Sequence, residues 1–99
     1  MIRHVVSWKL TAEDPSEKHE VSQRIRTLLE DLRGPIPQIK QLEVSENAVI
    51  SPANWDLILI ADYDSADDLE VYLRHPEHLR VAAVINSLVA ARSSVDFEA

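Results

Sequence analysis

Five residues in this sequence carry side chains suited to moving protons near neutral pH: His4, Tyr72, His75, His78 and Asp96. An imidazole titrates close to pH 7 and can take a proton from a carbon beside a carbonyl. A phenol can hold the oxyanion that then develops, and a carboxylate can fix the tautomer of a neighbouring imidazole. The segment Tyr72-Leu73-Arg74-His75-Pro76-Glu77-His78 bridges two helical patterns. The turn within it lets Tyr72 and His78 converge. Plainer readings stand beside this one: a Tyr closing the edge of the core, a His in a solvated first turn, and a His4 that is only a satisfied core residue.

Other chemistries find less support. His75-x-x-His78 has a metal-like spacing, but the residue before a proline is extended, which removes the shared helix face. No carboxylate completes that set, so no metal and no cofactor is expected. His19 lies among Glu17, Lys18 and Glu20 and reads as solvated. The chain has one glycine, hence no glycine-rich phosphate loop, and no cysteine, hence no disulfide or thiolate centre. No nucleophilic serine motif is present.

The elements that must position these residues follow from periodicity. Ile2 to Leu10 alternates as a strand, with Ile2, His4, Val6, Trp8 and Leu10 on one face and Arg3, Val5, Ser7 and Lys9 on the other. Asp14-Pro15 offers a cap and a first-turn proline. Val21, Ile25, Leu28, Leu29 and Leu32 follow at helical spacing, and Gly34-Pro35 ends that helix. A strand is expected from Ile39 to Ser45, a loop from Asn47 to Asn54, and the strongest strand from Trp55 to Tyr63. Ser65 with Asp68 caps a short helix to Leu73. Pro76 opens a last helix running to about Ala91, and Val95 with Phe97 marks a short final strand.

The order is β-α-β-β-α-β in a single domain, residues 1–99. This α+β pattern places helices on one face of a four-stranded antiparallel sheet. The other face carries Val5, Ile58 and Ile60. Leaving such side chains wet costs about 1.5–3 kcal/mol each, so a second copy packed face to face is expected to cover them.

Composition narrows the partners. The net charge of −7 opposes binding to nucleic acid or to an anionic membrane surface. No apolar run approaches the roughly 18–20 residues of a membrane span, and the start lacks a signal-peptide pattern. A cytoplasmic location is the resulting expectation.

Several of these residues resemble one family. The opening Met1-Ile2-Arg3-His4-Val5-Val6-x-Trp8-Lys9-Leu10, the segment Tyr72-x-x-His75-Pro76-x-His78 and the closing Val95-Asp96-Phe97 are similar to the stress-responsive A/B barrel (Dabb) proteins. The resemblance spans the whole chain. It implies a ferredoxin-like protomer, a dimeric α/β barrel and a homodimer. A plant polyketide cyclase of that family performs an aldol-type condensation. The resemblance to it implies a base at His78, a Tyr at Tyr72, a strand-one His at His4 and an acidic partner at Asp96. There the first helix bears aromatics, whereas here Val21, Ile25, Leu28 and Leu29 are aliphatic, and Leu57 stands where that enzyme has a His. A small pocket is expected between helices and sheet, lined by Val6, Trp8, Leu57, Leu59, Ile25 and Leu29. Trp8 is bulky enough to fill part of it. Two functions fit: a stress-related protein binding a small apolar or carbonyl ligand, and a cyclase-like lyase acting on a small carbonyl compound.

Overall fold

Capping chemistry sets most element boundaries in the computed structural model, which describes residues 1–99. Strand β1 (Ile2–Leu10) leads to helix α1 (Pro15–Glu30). The Asp14 carboxylate accepts from the backbone N–H groups of Ser16 and Glu17 at 3.1 and 3.2 Å. Pro15 holds the first helical position, where a missing N–H costs nothing. The helix tightens into a 3-10 turn at Asp31–Arg33 before Gly34 and Pro35. Strands β2 (Gln41–Glu46) and β3 (Leu57–Tyr63) follow. The Ser65 hydroxyl accepts from the Asp68 N–H at 3.1 Å and opens α2 (Ala66–Arg74). Next come α3 (Pro76–Asn86) and β4 (Val89–Glu98).

The four strands form one antiparallel sheet in the order β2-β3-β1-β4. Inward residues of β1 and β3, including Val6, Trp8, Leu59 and Ala61, pack beneath the helices with Ile25, Leu29, Tyr72, Val81 and Ile85. The opposite face has no helix over it. Val5 pairs with Ile60 on β3 and with Val95 on β4. Ile58 and Ile60 are half-buried, while Val95 and Phe97 are 64% and 43% exposed. Arg3 closes one end of this apolar strip by a two-pronged bond to Asp62, at 2.9 and 3.1 Å. No helix is long and apolar enough to cross a membrane.

Three sequence expectations need correction. The last helix stops at Asn86 rather than Ala91, and the final strand has ten residues rather than a short stretch around Val95 and Phe97. Leu88 to Ala91 suits a helix locally. However, the Ser87 hydroxyl donates to the Val84 carbonyl at 2.6 Å and ends the helix, and pairing of Val89 onward with β1 outweighs local preference. Strand β3 begins at Leu57, not Trp55. Trp55 lies outside the strand, with Lys9 Nζ 5.4 Å from its ring centre.

The Ser65 cap gives a direct test of this architecture. Ser65→Ala leaves the Asp68 N–H without its side-chain acceptor and should lower stability by about 1 kcal/mol. Urea denaturation measures this; an unchanged midpoint would show that α2 does not depend on the cap.

Candidate functional site

The break between α2 and α3 brings two of the candidate residues together. Pro76 cannot continue α2, so His75 turns extended, with φ −62° and ψ 134°. Its Nδ1 accepts from the Glu77 N–H at 3.1 Å and caps α3. His75 is therefore a capping residue. Tyr72 lies on the last turn of α2 and His78 on the first turn of α3. Their ring centres are 4.4 Å apart. His4, mid-strand on β1, comes within 6.2 Å of Tyr72 and 6.4 Å of Tyr63, centre to centre.

These rings border a cavity of about 250 Å³ between the helices and the sheet. Its polar wall is His4, Tyr72, His78, Asn86 and Arg92. Its apolar wall is Val6, Trp8, Leu29, Leu59, Ala82 and Ile85. Trp8 forms part of the wall and leaves the space open. Two of the expected lining residues are elsewhere. Ile25 is sealed in the core with no exposure, and Leu57 lies on β3 across the Trp8 indole from Arg92, its counterpart on β4. Ala82, Ile85 and Asn86, on α3, were not among the expected lining residues, and Arg92 was missed because the last helix was expected to run to about residue 91. The alternation of polar Arg92, Ser94, Asp96 and Glu98 with Val95 and Phe97 was the signal that could have placed Arg92 on a strand.

The two imidazoles are held differently. His4 Nδ1 bonds to the Asp96 carboxylate, its cross-strand neighbour. His78 Nδ1 donates to the Leu73 carbonyl at 3.0 Å. Asp96, which the resemblance implied as an acidic partner in the site, is thus the partner of His4 and not of the base His78, because register on the sheet places it opposite His4. Nearby negative charge does not raise His78 either. Burial pushes it below the ordinary histidine value, with His4, Arg92 and His75 adding to the effect against the pull of the Leu73 carbonyl. Burial also pushes the Tyr72 phenol up to about 12, so it stays protonated. Tyr63, behind it, is fully buried and its hydroxyl has no hydrogen-bond partner. Burial first, and then Tyr72, hold that phenol well above the usual tyrosine range.

The site can therefore offer a neutral imidazole with Nε2 free, a protonated phenol and a His–Asp pair around one small cavity. The architecture is that of a ferredoxin-like α+β protein. Residues 2–99 match the family described as Stress Responsive A/B Barrel Domain, and the chain belongs to this Dabb family. No protein of curated function matches the sequence. Among solved structures, it is similar to a dimeric ferredoxin-like protein of unknown function from Bacteroides fragilis NCTC 9343, at 29% identity and TM-score 0.85, covering 99% of this chain and 95% of that one. A dimeric ferredoxin-like protein of unknown function from Thermobifida fusca is 26% identical, with TM-score 0.82 and coverage of 99% and 90%. A hydroxynitrile lyase from Passiflora edulis shares the fold at 14% identity, with TM-score 0.78 and coverage of 97% and 90%.

The environment of His78 dictates a pH dependence. A histidine depressed in the folded state binds fewer protons there than in the unfolded chain. Its stabilising contribution is complete above about pH 6.5 and is lost as pH falls through the lower folded value. His78→Gln should flatten that part of the acid limb of the Tm–pH curve. In NMR titrations, Asp96→Asn should perturb the His4 ring resonances more than those of His78. A larger effect on His78 than on His4 would contradict the pairing described.

Proposed function

We propose that this chain is one protomer of a homodimer that binds a small, mostly apolar carbonyl compound in the cavity and moves a proton beside its carbonyl. The observation that carries this reading is the fixed tautomer of His78. With Nδ1–H committed to Leu73, the neutral ring keeps its Nε2 lone pair, and Tyr72 stands beside it. In the reading, His78 Nε2 takes a proton from the carbon next to the carbonyl. The electron pair moves to the carbonyl oxygen, and the Tyr72 hydroxyl donates to the resulting enolate. The enolate carbon then adds to a second carbonyl carbon, forming a C–C bond. The new alkoxide takes the proton back from His78. The sequence of steps needs no further reactant, and its reverse is a lyase reaction. The fold relative from Passiflora edulis is itself a lyase.

The dimer is part of the same proposal. Two relatives at 29% and 26% identity are dimeric, and the open face carries Val5, Ile58 and Ile60 beside the exposed Val95 and Phe97. Light scattering at micromolar concentration should give about twice the 11.2 kDa chain mass. Ile58→Asp should bring it to the single-chain value, because it buries an unpaired charge in an apolar contact. A wild-type monomer would remove the dimer from the proposal.

The chemistry is tested by proton exchange. Wild-type protein should speed deuterium uptake at the carbons flanking the carbonyl of 2-hexanone in D2O, followed by NMR. His78→Gln should lower that rate by roughly 10²-fold or more, within the range for a positioned base. Binding of the ketone without exchange would leave a binding protein and exclude the proton transfer.

A further inference from the structure

The cavity has one cationic wall residue. Arg92 lies on β4 opposite Trp8, on the side of the sheet that faces the helices. Arg3, Arg26, Arg33, Arg74 and Arg80 each have a carboxylate within ion-pair distance. Arg92 has none; its Nη1 reaches the Ser94 hydroxyl at 3.4 Å, a long contact. The carboxylate of Asp96 lies four residues along the same strand, about 13 Å at the usual rise, and is taken by His4. Arg24 also has no carboxylate partner, but it lies exposed on α1 and away from the cavity, so Arg92 is the unpaired guanidinium that borders the cavity.

We infer that the ligand of this cavity is a short-chain carboxylate, its anionic end paired with Arg92 and its apolar or carbonyl portion lying against Tyr72 and His78. The inference rests on the reading of the cavity given under Proposed function and names its substrate class. A guanidinium presents parallel N–H donors that match the two oxygens of a carboxylate. The Arg92 charge also reaches the reacting groups, since it opposes protonation of His78 and favours ionisation of Tyr72. An anion bound at Arg92 would partly cancel that field, so ligand charge and site chemistry are coupled. The size fits as well: a cavity of about 250 Å³ has room for a short acid. The overall charge repels anions, but salt screens that field beyond roughly 8–10 Å, leaving the local guanidinium to decide.

The test compares hexanoate with its neutral isostere hexanamide, and with 2-hexanone, by NMR titration of the Trp8 indole and His78 ring resonances. Hexanoate should bind at least tenfold more tightly than hexanamide at low salt, and added salt should narrow the ratio. Arg92→Gln should bring the ratio near one while 2-hexanone binding persists, and Arg92→Lys should retain part of the preference. Arg92 is exposed, so these variants should keep a dispersed spectrum. If 2-hexanone binds but hexanoate gains nothing over hexanamide, or the preference survives Arg92→Gln, the carboxylate inference falls and the cavity reading stands. A weakened dimer with an unchanged ratio would assign Arg92 to the subunit contact and overturn the inference. If none of the three probes moves the cavity resonances, both the inference and the reading beneath it fail.

Discussion

The site depends on the inability of Pro76 to extend α2. Its ring would collide with the carbonyl of Tyr72, four residues earlier, and it has no N–H to give. The chain must leave the helix at His75, and several local bonds follow. The Glu77 N–H, which would otherwise close a helical bond to Leu73, is taken by the His75 ring instead. That frees the Leu73 carbonyl, and His78 donates to it. One proline thus fixes the angle between two helices, the position of His78 over Tyr72 and the tautomer of the His78 ring. A continuous helix would have satisfied Leu73 with backbone and left His78 free to rotate.

Two histidines so close together would be redundant if their surroundings matched. They differ in the partner on Nδ1. His4 is bonded to a carboxylate side chain and His78 to a backbone carbonyl. His78 stays neutral at physiological pH because protonating it there means charging a group with little water around it, close to His4 and Arg92. Environments that diverge around similar groups are the usual basis for dividing acid and base roles. Tyr72 completes the set as a donor, since burial keeps its proton on.

What the sequence showed and what it hid differ by the range of the interactions involved. Asp14, Ser65 and Pro76 announced helix starts because caps act over two or three residues. The alternation of His4, Val6 and Trp8 with Val5 and Ser7 showed the faces of β1, because period two is imposed by the strand itself. The partner of Asp96 depended on register between chain ends 92 residues apart, which no local pattern encodes. Arg92 was hidden for a related reason. Its segment, Leu88 to Arg92, has side chains that a helix accepts, and only pairing with β1 makes it a strand. The cavity wall formed by β4 was therefore the part least visible.

That same register ties the site to the proposed subunit contact. His4 faces Asp96 on the helix side of the sheet, and Val5 faces Val95 on the open side, in adjacent positions of one ladder. Because side chains alternate, a slip of β4 by one residue would exchange the two sets. Phe97 or Val95 would turn toward His4, and Asp96 would turn into the apolar strip with Ile58 and Ile60. The His4 ring would then be buried without a carboxylate, and a charge would stand in the surface that two copies are proposed to share. Each error alone is costly, since a buried imidazole loses its partner in one and an unpaired carboxylate is desolvated in the other. Both arise from a single shift, so selection of the correct register is reinforced from both faces of the sheet. The polar pair in the site and the apolar strip outside it are thus two consequences of how β4 meets β1.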